Sequence, residues 1–153
     1  MAASAASSSR PAEPAATAAA LVVGLLLLIA SWDTLHSWFF AESQIRDTPI
    51  YIKYGNRIAA GEVPYRDFRV EYPPGALAVF AAPAVGHAPS SFPSYRKLFE
   101  TLMFISAALG LVAMAFALRC LKAGLARSTA ALALAGLAPL ALGSVVLSRF
   151  DLW

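Results

Sequence analysis

Three long stretches of this chain carry no charged residue: Pro14 to Trp32, Thr101 to Leu118 and Ser128 to Ser148. Each reaches the ~18–20 residues that a helix needs to cross ~30 Å of hydrocarbon. The first centres on the strongly lipophilic run from Leu21 to Ile29. The pattern predicts transmembrane helices at about 17–40, 97–118 and 128–148. Trp32, Trp38, Phe39 and Phe40 flank the first span and suit a headgroup belt. Small residues recur in the later spans (Ser106, Gly110, Ala113, Ala117, Gly136, Gly143), where they let helices approach closely, and Pro139 is expected to kink the third.

Between the first and second spans the pattern changes. The segment 41–96 alternates aromatic, apolar and charged positions, and a structureless loop of this length is unusual. Thr48-Pro49 reads as an N-cap followed by proline in the first turn. Ile50, Tyr51, Tyr54 and Ile58 recur at helical spacing, with Lys53, Asn56 and Arg57 on the other face, and Gly61 is placed to end the helix. A helix over about 49–60 is therefore expected, lying in the membrane interface. Pro73-Pro74 can open a second helix at about 75–85, apolar but too short to cross a bilayer. The predicted fold class is an all-α membrane protein with three transmembrane helices and two interfacial helices.

Composition narrows the functional classes. Of 153 residues, 59% are hydrophobic and 14% charged, against ~45–50% and ~25% in soluble domains. This excludes an ordinary water-soluble globule and a disordered chain alike. The net charge of +3 is scattered, with no basic stripe interleaved with aromatics, so no nucleic-acid partner is expected. The single cysteine, Cys120, excludes an internal disulfide.

Charge also sets an expected orientation. The short loop 119–127 holds Arg119, Lys122 and Arg127 and no acid, so it should face the cytoplasm. The N-terminus would then be cytoplasmic, with 41–96 and the end at 149–153 extracytoplasmic. Residues 1–16, rich in Ala, Ser and Pro, read as a disordered tail. The apolar run after it exceeds the ~7–15 residues of a signal peptide, which favours a retained anchor. Leu152-Trp153 reads as the start of another apolar segment, so the sequence is expected to be the N-terminal part of a longer polytopic protein.

The outer segment reads Asp47-Thr48-Pro49-Ile50-Tyr51-Ile52-Lys53-Tyr54-Gly55, then Gly61-Glu62-Val63-Pro64-Tyr65-Arg66-Asp67-Phe68, then Glu71-Tyr72-Pro73-Pro74-Gly75. The third span ends in Ser148-Arg149-Phe150-Asp151. Taken together this order resembles the start of an integral-membrane glycosyltransferase of the GT-C superfamily. It is most similar to glycosyltransferase family 87, the DUF2029-type mannosyltransferases that use polyprenyl-phosphate-mannose. The resemblance covers nearly all of the chain after the tail, and about the first third of a typical family member. It implies a lipid-phosphate-linked sugar as donor, a glycan or glycolipid as acceptor, membrane lipids as surroundings, and a plasma-membrane location with the active loop outside. It also implies a role for Asp47 as the acidic residue of the first outer loop, accepting or orienting the proton of the attacking hydroxyl, with inversion at the anomeric carbon. The sugar, and any use of a divalent ion, stay open.

Asp47 has a plainer reading as a helix cap. Arg149 and Asp151 are candidates for contacting the carrier phosphate and shaping the site, or ordinary boundary charges. Tyr51 and Tyr72 are candidates for stacking on sugar, or interfacial anchors. Arg66 is a candidate substrate contact, while Arg66, Asp67, Arg69 and Glu71 are read first as a structural ion-pair network. Asp33 reads as an interfacial acid and His87 as a loop residue. Two other classes remain: a fragment of a transporter and a small non-catalytic membrane protein. A transport site would lie near the bilayer midplane, yet the second and third spans are free of charge.

Overall fold

The computed structural model describes residues 14–37, 47–86 and 89–150. Among them the chain is helical, with six α-helices: α1 Pro14–Leu35, α2 Thr48–Ala59, α3 Pro74–Ala81, α4 Phe92–Cys120, α5 Leu125–Leu142 and α6 Val145–Ser148. Three of these, α1, α4 and α5, are long and apolar enough to cross a membrane. The chain is thus an all-α membrane protein. The expected spans are recovered with shifted ends. The second is a 29-residue helix that begins at Phe92, because Arg96, Lys97 and Glu100 continue the helix instead of ending it. The third starts earlier, at Leu125, and stops at Leu142. Gly143 adopts a left-handed φ of 67° and separates α5 from α6, so the expected single helix to residue 148 is interrupted. Pro139 is buried inside α5. The loop after α4 closes with a paired-bond C-cap: the Lys122 amide donates to the Arg119 carbonyl and the Ala123 amide to the Leu118 carbonyl, with Lys122 at φ 53°.

Two compact units emerge, residues 1–34 with 108–141 and residues 35–107 with 142–153. In the first, α1 and α5 meet backbone to backbone. A Cβ on Gly136 would overlap the Gly24 carbonyl oxygen, and one on Gly24 would press on the Leu132 carbonyl. The buried Ser31 hydroxyl donates to the Gly136 carbonyl at 3.0 Å. Gly136 therefore has the close-packing role expected of it. Gly110 has open space around it and does not.

The second unit is built on aromatic side chains. Tyr51, Phe80, Tyr95 and Phe99 are fully buried. Gly55 of α2 lies against the Phe80 carbonyl of α3, leaving no room for a side chain. The Tyr95 hydroxyl donates to that same carbonyl at 2.8 Å. A third contact, from the Ser90 amide to the Asn56 side-chain oxygen at 3.0 Å, holds the start of α4 to α2. Helix α2 spans Thr48–Ala59, close to the expected range, and ends as predicted at Gly61. The Gly61 and Glu62 amides donate to the Ile58 and Arg57 carbonyls, with Gly61 at φ 87°. Its buried face is Thr48, Tyr51, Tyr54 and Gly55, whereas Ile50 is exposed. Helix α3 is shorter than the expected 75–85. At eight residues it extends only ~12 Å, far short of a bilayer.

Candidate functional site

Asp47 begins α2, but not as the capping side chain that its position invites. The N-cap position belongs to Asp47, one residue before the expected Thr48, and its carboxylate makes no capping hydrogen bond. Its backbone opens the helix: the Asp47 carbonyl accepts from the Ile50 amide at 2.9 Å and the Tyr51 amide at 3.3 Å. The carboxylate instead faces Arg149, with Nε to Oδ2 at 3.7 Å. That is ion-pair distance, beyond a hydrogen bond. Both side chains keep access to solvent, Arg149 the more so. Two residues singled out separately in the sequence are thus adjacent, brought together by the turn at Gly143 and the short α6 that delivers Arg149.

The floor beside this pair is aromatic. The Tyr51 ring stacks on Phe80 with centroids 4.3 Å apart and meets Tyr72, Phe99 and Phe150 at 5.5, 5.4 and 6.1 Å. Tyr72 in turn meets Phe80 and Phe150 edge-on. The enclosed ring of Tyr51 leaves no face for a sugar, so the stacking role considered for it does not fit. Its hydroxyl is buried beside the Tyr72 side chain. Burial, a hydrogen bond with the Tyr72 side chain and the Asp47 charge push its ionisation well above the ordinary tyrosine range. This group is therefore a proton-bearing donor at any physiological pH. Tyr72 is only partly buried and forms the outer rim of the same cluster.

Arg66 serves elsewhere. It pairs with Asp67 at 2.8 Å on a well-exposed side chain. The Asp67 carboxylate also accepts from the Val63 amide at 2.8 Å. These two bonds hold Asp67 below the usual carboxylate range. Arg57 binds Glu62 through Nε at 2.7 Å and lies 4.3 Å above the Phe68 ring. The structural network expected of Arg66, Asp67, Arg69 and Glu71 thus runs through Arg57, Glu62, Asp67 and Arg66. It braces a tight turn in which Tyr65 takes a left-handed φ of 65°. A second charged group joins His36 Nε2 to Glu100 Oε2 at 3.2 Å, with Arg96 on the other Glu100 oxygen at 2.6 Å. Asp151, His87, Trp38, Phe39 and Phe40 lie outside the described residues.

Sequence reasoning gave no role to Phe80 or Phe150, whose rings complete the cluster. Gly55 carried the one usable signal. Glycine inside a helix costs ~1 kcal/mol relative to alanine and so implies a packing reason, here the Phe80 carbonyl. Comparison with protein-family models, curated proteins and solved structures finds no match for this chain.

Proposed function

We propose that this protein works in membrane glycosyl transfer, moving a sugar, mannose by the family resemblance, from a polyprenyl-phosphate carrier to a glycan or glycolipid hydroxyl. The observation that carries the reading is the Asp47 carboxylate, uncommitted to its helix and opposed to Arg149 at 3.7 Å. In the proposed reaction the acceptor oxygen bonds to the anomeric carbon as the bond from that carbon to the phosphate oxygen breaks. The acceptor's proton passes to Asp47, and the configuration at the carbon inverts. Arg149 stabilises the negative charge gathering on the departing phosphate. A sugar hydroxyl is a poor nucleophile, and a positioned base contributes ~10²–10⁴ in rate. The rigid start of α2 supplies the positioning.

The proposed setting is the plasma membrane, with the loop Arg119–Arg127 cytoplasmic and the α2–α3 region outside. Cysteine-accessibility labelling of positions 125 and 67 from opposite sides checks this, and labelling of both from one side overturns it. The chemical test is Asp47→Asn, assayed with a polyprenyl-phosphate sugar donor. The Asp47 side chain makes no capping hydrogen bond, so folding and insertion should survive while transfer falls ~10²–10⁴-fold. Retention of more than about a tenth of wild-type turnover would remove Asp47 as the base, given that expected loss.

A further inference from the structure

The connection between α4 and α5 gathers charge of one sign. Between Glu100 and Asp151 the sequence has no acid, and three of the four cations in that stretch, Arg119, Lys122 and Arg127, fall on this short turn and the helix ends beside it. All three are exposed, and among the described residues none of them forms an ion pair. Leu121 and Leu125 stand among them, 78% and 49% exposed. The charge-free run from Thr101 to Leu118 is long enough to cross the hydrocarbon, so Arg119 comes at the level of the lipid headgroups.

Two of these cations hold positions that local structure disfavours. Lys122 fills the left-handed position of the α4 C-cap, at φ 53°, where glycine is the favoured residue. Arg127 lies in the first turn of α5, which carries no acid, and the amide end of a helix repels a cation. Arg119 alone is where the helix dipole favours it, in the last turn of α4. A charge that served only to orient the chain in the membrane would work as well at position 121, exposed and outside the left-handed region, where leucine stands. Local rules broken without local gain mark functional positions.

We propose that the α4–α5 turn is a binding surface for anionic phospholipid, with the headgroup phosphate among Arg119, Lys122 and Arg127. The two guanidinium groups match phosphate oxygens in geometry and the ammonium adds a point charge. Leu121 and Leu125 seat the turn against the acyl chains, which favours a lipid over a soluble anion. This binding is independent of sugar transfer and of which side of the membrane the turn faces.

The test counts dioleoyl phosphatidylglycerol and dioleoyl phosphatidylcholine retained by the full chain in mixed detergent micelles, by native mass spectrometry. Phosphatidylglycerol should be preferred. Arg119→Gln, Lys122→Gln and Arg127→Gln should each lower that preference about fivefold, the effect of one cation near an anionic lipid surface. Lys53→Gln, which removes an exposed cation of the other unit, should leave it unchanged. Lys122→Gly separates binding from folding: it should raise the melting temperature without lipid and lose the preference as Lys122→Gln does. A wild-type protein without the preference, a triple glutamine variant that keeps it, or an equal loss in Lys53→Gln would overturn the proposal. Full preference in Lys122→Gly would do the same. Displacement of phosphatidylglycerol by an equal concentration of inorganic phosphate would overturn the lipid assignment in favour of a free anion.

Discussion

The two units of this chain solve opposite packing problems. In the unit of residues 1–34 and 108–141, large apolar side chains are turned outward: Leu26, Phe116 and Leu134 are each 60% exposed or more. Its interior holds the small residues Gly24, Gly136 and Ser31, the last bonded across, beside the buried side chains of Leu28 and Leu132. In the unit of residues 35–107 and 142–153 the large side chains are inside, with Tyr51, Phe80, Tyr95 and Phe99 wholly buried. The difference is the one that lipid and water each favour. Lipid tails are as apolar as leucine, so burying leucine there gains little, and close backbone approach does the packing. Water drives aromatic surface inward at ~25 cal/mol per Å².

Matched substitutions sharpen this contrast. Phe80→Ala should cost about 3–5 kcal/mol, as for a large core aromatic, read as lost hydrogen-exchange protection in residues 48–81. Phe116→Ala, the same change on the outward face of the other unit, should cost under about 0.5 kcal/mol in a bilayer. Equal costs would break the comparison. Gly136→Ala comes next, at about 1–3 kcal/mol, because its new methyl meets the Gly24 backbone, which cannot swing aside. Tyr95→Phe should cost about 1–3 kcal/mol by leaving the buried Phe80 carbonyl without its donor. Lys122→Gly relieves a left-handed non-glycine residue and should stabilise by up to about 1 kcal/mol. Each is measurable by unfolding in detergent at fixed protein concentration.

How much of this could be read beforehand depends on whether the governing force is local. The spans were legible because the thickness of the hydrocarbon alone dictates the length of a charge-free run. The end of α2 at Gly61 was legible because a left-handed C-cap favours glycine. The stop at Gly143 was not: within an apolar stretch a glycine that packs and a glycine that breaks look alike, and only the chain's path after it tells them apart. The N-cap fell to Asp47 instead of Thr48, which is buried and joins the core face. Asp47 and Arg149 could each be suspected from their neighbours, yet their adjacency depends on the path of the chain after Gly143.

The central claim is that Asp47 takes a proton at a site it shares with Arg149, rather than merely pairing with it. A charge swap separates the two. A partly exposed ion pair is worth ~0–1 kcal/mol, and Asp47→Arg combined with Arg149→Asp restores the attraction while moving the carboxylate to the other side of the site. Sugar transfer from a polyprenyl-phosphate donor should be measured for both single variants and the swap, alongside their stabilities. The account predicts that the swap recovers the small stability loss and leaves transfer at least ~10²-fold below wild type. Recovery of transfer together with stability would contradict it, reducing Asp47 to a structural partner of Arg149.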